Sequence, residues 1–497
     1  MITANELRTD GHLRSFLSGA AFSTSAMIVS ALLTMLTGVI FARWMKPEGF
    51  GTYSLVLTVA TFGASVGAAG MDYTVARYVC FYLGSRDMPL IRTVVAYTMR
   101  WGLAGSAVAA IVVFAFLRGG WLNGTKLTGL LPFALVIVLT IPALAAQAIL
   151  LQALLALQAV RHRVVLEKLI HPLFRLALPF ALLAFFHDRS RAAAASILLS
   201  SLLLIPLVAV ALGKHLRGLP PGAVAPIETR SKWRGYALPY VFFSLQNFVS
   251  AGMGVDILLV SALASVNDSG VYAACFRLVL GLTLARAGMD YAFGPKAGEL
   301  VGKSDFSSIH DLYRTSATIG LAWALPLSVA LIAFSRPLMA TLYGAPYVKG
   351  GAALAWLALG FAIDNAAGCY MTLLAMIGKP WLVFTNGAVS GALTVGLCLI
   401  LIPAYGMAGA GAAVSLARAA SACLGTFEIW RLHRFFPFSR ASLKLLFAGI
   451  SAAILGLVFR HHLPAAQNFL NLGLLVGLVF FTFLATLRIT RFSLAAN

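Results

Sequence analysis

Charge is scarce in this chain. Asp, Glu, Lys and Arg make up only 11% of its 497 residues, about half the share of an ordinary soluble protein. That shortage excludes the string of soluble domains that length alone suggests. Acidic residues are scarcer still: 16 against 37 basic ones, for a net charge of +21. The five cysteines (Cys80, Cys275, Cys369, Cys398, Cys423) form no CxxC pair and lie near no histidine cluster. They read as small core hydrophobes, which argues against both a disulfide framework and a metal site. Long polar stretches are also missing; the longest runs from about Lys214 to Gly235. No nucleophile stands beside a base, and neither an HExxH nor a P-loop motif occurs. No catalytic residue is assigned, no cofactor is expected, and the chain does not read as an enzyme. No signal peptide is expected either: the first apolar block, Phe16 to Phe41, is too long and lacks a small-residue cleavage site.

What is present is apolar. Hydrophobic residues make up 60% of the chain, with a mean hydropathy of +0.90. They fall into blocks of roughly 18 to 28 residues, the length that crosses a hydrocarbon core of about 30 Å. About fourteen spans follow, at 15–42, 50–70, 91–117, 129–158, 167–186, 192–213, 236–264, 270–295, 309–335, 350–377, 381–403, 406–431, 442–460 and 467–488. The expected fold is an all-α polytopic membrane protein. Loops after even-numbered spans, with both tails, hold about 23 Lys and Arg; those after odd-numbered spans hold about nine. Both termini are therefore expected in the cytoplasm. The same bias explains the net charge without nucleic acid as a partner.

A repeat organises these spans. Ala69-Gly70-Met71-Asp72-Tyr73 recurs as Ala287-Gly288-Met289-Asp290-Tyr291, and the Gly-x-Tyr turn Gly51-Thr52-Tyr53 recurs as Gly270-Val271-Tyr272. The offset of about 219 residues marks a duplicated helical bundle. Each half takes six spans. Six is even, so the halves share one orientation about a pseudo-twofold along the membrane normal. The expected divisions are an N-lobe over 1–213, a cytoplasmic connector over 214–235, a C-lobe over 236–435 and a two-helix appendage over 436–497.

Ionisable residues inside spans are costly and mark bundle interiors or aqueous cavities. The deep ones include Arg175, Asp256, Arg277, Arg286, Asp290, Asp364 and Arg418. Most lie in the second half: at the repeat offset, Asp256, Arg277 and Asp364 face Thr37, Thr58 and Ala145. Arg286 and Asp290 are i,i+4 on one helix and so are neighbours. Asp256 and Arg277 flank a turn expected at Asn267-Asp268, each about 15 Å deep, which permits an ion pair. Two readings stay open. Such pairs neutralise each other and lock helices together, or they line a hydrophilic cavity. Basic charge is in surplus, because Arg175 and Arg418 have no obvious acidic partner on their own helices. That favours the cavity and an anionic visitor such as phosphate, which guanidinium binds in bidentate fashion. Asn247 and Asn365 are candidates for sugar hydroxyls or for bonds between helices.

Residues Ala42 to Ser54, ARWMKPEGFGTYS, resemble the first-loop signature of polysaccharide-biosynthesis flippases, the Wzx-type transporters. These belong to the multidrug/oligosaccharidyl-lipid/polysaccharide (MOP) superfamily. Gly270 to Leu278, Ile377-Gly378-Lys379-Pro380 and Ile402 to Gly406 fit the same pattern, and Asp256 matches a frequent acidic position. The resemblance implies a V-shaped, two-lobed bundle with a cationic cavity. It also implies transport of undecaprenyl-pyrophosphate-linked oligosaccharide across a bacterial inner membrane by alternating access. Arg175, Arg277, Arg286, Arg418, Asn247 and Asn365 are then the candidates to line the substrate cavity. Asp256, Asp290 and Asp364 are those for proton or Na⁺ coupling. The implied partners are the lipid-linked oligosaccharide, membrane lipids and a polysaccharide polymerase complex. A drug or cation exporter of the same fold is the second reading. A membrane polymerase or ligase is the third, and the short loops disfavour it.

Overall fold

The computed structural model describes residues 4–119, 128–222, 224–237, 254–462 and 469–489, with most side chains from Val29 onward. All regular elements among these residues are helices. The chain divides into two units: Met1–Ile40 with Thr52–Leu245, and Phe41–Gly51 with Gln246–Asn497.

α1 (Ala4–Gly67), of which residues 4–40 and 52–67 belong to the first unit, is broken at Lys46, where φ is 60° and Pro47 follows. Proline has no N–H to continue the ladder, so the break falls there. Then come α2 (Met71–Ser85), α3 (Met88–Arg118) and α4 (Ala134–Ala156). The short α5 (Val160–Val164) passes through a π-helical turn, Val165–Ile170, into α6 (His171–Leu182). α7 (Arg189–Arg217) is capped by Asp188, whose side chain accepts from the Ser190 N–H. Arg92 closes the other end of α7, donating to the carbonyls of Leu216 and Leu219 at 2.6 and 2.9 Å. A helix over 227–237, α8, follows. It docks through the fully buried Trp233, whose indole donates to the Tyr82 hydroxyl at 3.0 Å. Val75, Val79, Val94, Ile149 and Leu204 pack in the same core.

The second unit holds α9 (Val255–Leu263), α10 (Val266–Val279), α11 (Leu284–Gly302), α12 (Phe306–Ala333), α13 (Ser335–Tyr343), α14 (Gly351–Ala366), α15 (Tyr370–Met376), α16 (Pro380–Tyr405) and α17 (Met407–His433). α18 (Arg440–His462) and α19 (Phe469–Ile489) complete it; Leu445, Ala448 and Val479 pack with Phe334 of α12's end. Ser265 caps α10, and Asp305 caps α12 by accepting from Ser308 N at 3.1 Å. At the end of α11, hydrogen bonds from Lys303 and Lys296 hold the exposed Glu299 carboxyl down to about 2.

Nine helices among the described residues are long and apolar enough to cross a membrane. Spans 1 and 2 are two helices that meet at the kink at Lys46, and Val29–Gly67 runs across both. Span 5 is interrupted by the π turn, and span 7 runs into residues outside the described set.

The repeat has a backbone signature. Left-handed residues end helices at Arg86 and Ser304, and again at Gln158 and Gly378, at offsets of about 218 and 220. The duplicated pentapeptide behaves differently in its two copies. Ala69 and Gly70 are both left-handed (φ 51° and 72°) and separate α1 from α2. Ala287 to Tyr291 lies inside the continuous α11.

Residues 42–51 of the first-loop signature pack in the second unit. Arg43 donates through Nε to the Leu342 carbonyl at 2.7 Å, and through Nη2 to that of Thr341. The Tyr347 hydroxyl donates to the Ala42 carbonyl at 2.7 Å. Gly51 and Gly270, the two turn glycines of the repeat, lie against each other. A Cβ on Gly270 would run into the Pro47 carbonyl and the Gly51 nitrogen, so only hydrogen fits at this crossing.

Candidate functional site

Four helices of the second unit bring a charge cluster together: α11, α14, α15 and α17. Arg286 projects from α11 one turn before Asp290, and Asp364 sits near the end of α14. Arg286 Nη1 donates to Asp364 Oδ2 at 2.7 Å, and Arg418 Nη1, from α17, donates to the same oxygen at 3.2 Å. Arg286 Nη1 also lies 3.3 Å from the Asp364 carbonyl. Asp290 Oδ2 is 4.0 Å from Arg286 Nε. The side chains of Asp364, Arg418 and Arg286 are 11%, 15% and 16% exposed, whereas Asp290 is 36% exposed. One nearly dry carboxylate thus serves two guanidiniums, and the second carboxylate stands on the open side.

Aromatic and hydroxyl groups frame the cluster. The Tyr370 hydroxyl donates to Asp364 Oδ1 at 3.1 Å and lies 3.3 Å from Ser421 Oγ. The Arg286 guanidinium lies over the Tyr370 ring at 5.1 Å, and that of Arg418 over Phe361 at 3.8 Å. Cation–π contact stabilises charge withdrawn from water. Thr372 Oγ1 donates to Asp290 Oδ1 at 2.7 Å.

The i,i+4 neighbours Arg286 and Asp290 are adjacent as the spacing predicts. Arg418 has its acidic partner on another helix, α14, so part of the basic surplus read from single helices is balanced by Asp364. Asp256 and Arg277 do not pair. The turn between α9 and α10 falls at Ala264–Ser265, about three residues before Asn267-Asp268. That shift separates the two in depth by about 6 Å and brings Asp256 level with Tyr272. Tyr272 accordingly donates to Asp256 Oδ2 at 2.7 Å, and Gly254 N donates to Oδ1 at 2.8 Å. Arg277 stacks over Phe50 of the first-loop segment at 5.0 Å and is 8% exposed.

Asn365 donates to the Phe361 carbonyl one turn back, and only 1% of it is exposed. Arg175 lies on α6 of the first unit, one turn after His171. Asn247 lies outside the described residues. Tyr370, Thr372 and Ser421 were not singled out from the sequence. Tyr370 follows Asp364 by six residues, but the left-handed Gly368 stands between them and erases any helical spacing.

The sequence matches the model of the "Polysaccharide biosynthesis protein" family over residues 16–285. No curated protein matches it. Among solved structures, one titled "Lipid II flippase MurJ, inward closed conformation" superposes with a TM-score of 0.73 at 14% identity, covering 95% of this chain and 98% of that one. An inward-facing multidrug resistance MATE family transporter of the MOP superfamily gives 0.66 at 16% identity, over 81% and 94% of the two chains. A mutant of the Vibrio cholerae MATE transporter VcmN gives 0.58 at 14% identity over 84% and 98%. At such identities the likeness is one of fold. The family match spans more than half of the sequence, and on that ground the chain belongs to the polysaccharide biosynthesis protein family.

Proposed function

We propose that this protein flips an undecaprenyl-pyrophosphate-linked oligosaccharide from the cytoplasmic to the periplasmic leaflet of a bacterial inner membrane, by alternating access. A proton or Na⁺ gradient drives the step, and the product feeds cell-surface polysaccharide synthesis. The observation that carries this reading is the convergence of Arg286 and Arg418 on one carboxylate oxygen. Two guanidiniums from different helices that share an oxyanion also suit a diphosphate, whose oxygens accept paired N–H bonds.

Arg286 and Arg418 hold the diphosphate, and Arg277, Arg175, Asn247 and Asn365 are the further candidates for substrate contact. Asp256, Asp290 and Asp364 are the candidates for ion coupling. Both termini lie in the cytoplasm, and membrane lipids and a polysaccharide polymerase complex are its neighbours. The family supports polysaccharide synthesis, and the MurJ-like fold supports a flippase without catalysis.

The likeness to MATE transporters favours a second reading, export of drugs or cations. A cation site needs net negative charge, whereas the buried core of this cluster sets two arginines against one aspartate. Substituting Arg286→Ala and Arg418→Ala and measuring surface polysaccharide in a transporter-null host tests the leading reading. Strong loss is expected from each variant at normal expression. Full activity would remove both residues from the proposed site.

A further inference from the structure

Asp364 stands where two guanidiniums from different helices converge. Its Oδ2 takes one N–H from Arg286 at 2.7 Å and one from Arg418 at 3.2 Å. These are the donors that a diphosphate would use, directed at an atom of the same charge and hydrogen-bonding character. Both guanidiniums are mostly buried and direct Nη1 at this one oxygen, so a phosphate that takes these two hydrogen bonds takes them from Asp364.

We propose that Asp364 is an internal anion that a phosphate-bearing substrate displaces from Arg286 and Arg418, with Tyr370 as the positioning residue that sets how firmly it is held. The inference rests on the diphosphate reading above and deepens it. It turns an ion cluster of two arginines on one carboxylate into a site with a built-in competitor.

The surroundings suit displacement. Asp364 lies two residues before the end of α14, at Ala366, and the chain turns soon after at the left-handed Gly368. The carboxylate is therefore on a helix end, where a small backbone shift moves it. Its second oxygen, Oδ1, is held by the Tyr370 hydroxyl at 3.1 Å. That hydroxyl is also 3.3 Å from Ser421 Oγ, so it keeps a hydrogen-bond partner when the carboxylate leaves. A donor stranded in a dry site would oppose the exchange; here the alternative partner is already in place. Asp290 remains on the open side, held by Thr372 Oγ1 at 2.7 Å.

This arrangement has a use. While no substrate is bound, each of the two arginines has the Asp364 carboxylate as a counter-charge, and neither stands as a lone cation in the membrane, where one is costly. An arriving diphosphate carries more charge than one carboxylate and presents more oxygens to the two guanidiniums, so it wins the exchange. A singly charged anion is not favoured in the same way. The competitor thus sets a threshold that selects diphosphate.

The test uses the purified full-length protein in detergent, titrated calorimetrically with inorganic pyrophosphate and, separately, with undecaprenyl pyrophosphate. Asp364→Asn keeps the shape of the side chain and removes its charge. About tenfold tighter binding than wild type is expected, because the competing anion is gone. Tyr370→Phe loosens the carboxylate without removing it, and a smaller gain of about two- to threefold is expected. Arg286→Gln and Arg418→Gln should each weaken binding at least about tenfold. A melting curve for each variant checks folding, and Tyr370→Phe carries the test if Asp364→Asn does not fold.

If Asp364→Asn and Tyr370→Phe bind as wild type or more weakly while the arginine variants lose affinity, Asp364 only scaffolds the arginines. That result overturns the inference and leaves the diphosphate site intact. If wild type and every variant bind neither probe, the diphosphate reading itself fails and takes the inference with it. If inorganic pyrophosphate alone follows the expected ranking, the displaced carboxylate stands and the lipid-linked substrate does not.

Discussion

A carboxylate among apolar side chains needs donors close at hand, and Asp256 draws them from Gly254 N and the Tyr272 hydroxyl. Tyr272 is fully buried, so its phenol stays with Asp256 and away from water. Tyr272→Phe removes one bond and keeps the ring. A loss of about 1–3 kcal/mol is expected, read as a lower melting temperature in detergent, because the carboxylate is left short of a donor. An unchanged melting temperature would show that Asp256 draws nothing from the phenol. Which of these residues could be anticipated depended on distance along the chain. Arg286 and Asp290 are one helical turn apart, and a turn is visible in sequence. Arg418 and Asp364 are 54 residues apart on different helices, so each was visible as a buried charge while their partnership was not. Arg277 and Asp256 were visible too, yet a turn displaced by three residues gave each a different neighbour.

Elements show the same division. Block length marks where a helix crosses a bilayer, because the hydrocarbon thickness sets it. It does not mark where a rod bends. The duplicated pentapeptide breaks the chain between α1 and α2 but runs straight through α11. Five letters do not decide between these outcomes; the surrounding packing does. Glycine roles differ in the same manner. Gly270 lies against Pro47 and Gly51, whereas a Cβ on Gly288 would meet nothing within 4 Å. Gly270→Ala is expected to destabilise by about 1–3 kcal/mol or more through overpacking. Gly288→Ala is expected to stabilise α11 by up to about 1 kcal/mol, since alanine suits a helix interior better. Thermal unfolding of both variants in one detergent checks the pair. Equal effects would mean that the Gly51–Gly270 crossing tolerates a methyl group.

At the scale of the whole molecule, the two readings differ in the charge of what is carried, an anion or a cation. Expression in an efflux-deficient host is expected to leave resistance to cationic dyes unchanged, while restoring surface polysaccharide in a transporter-null strain. Dye resistance without restored polysaccharide would favour the exporter reading. The sequence by itself determined that this chain is an all-helical membrane protein built on a long repeat, because burial of apolar blocks in lipid is a property of composition and length. It also determined that the second half carries most of the deep charge. Only the tertiary structure decided that Arg286 and Arg418 meet on Asp364, that Tyr370 steadies it, and that the first-loop signature packs on the second copy of its own turn. Those pairings join residues far apart in the chain. They are set by where helices bend and how closely their backbones approach, and no local pattern of residues records either.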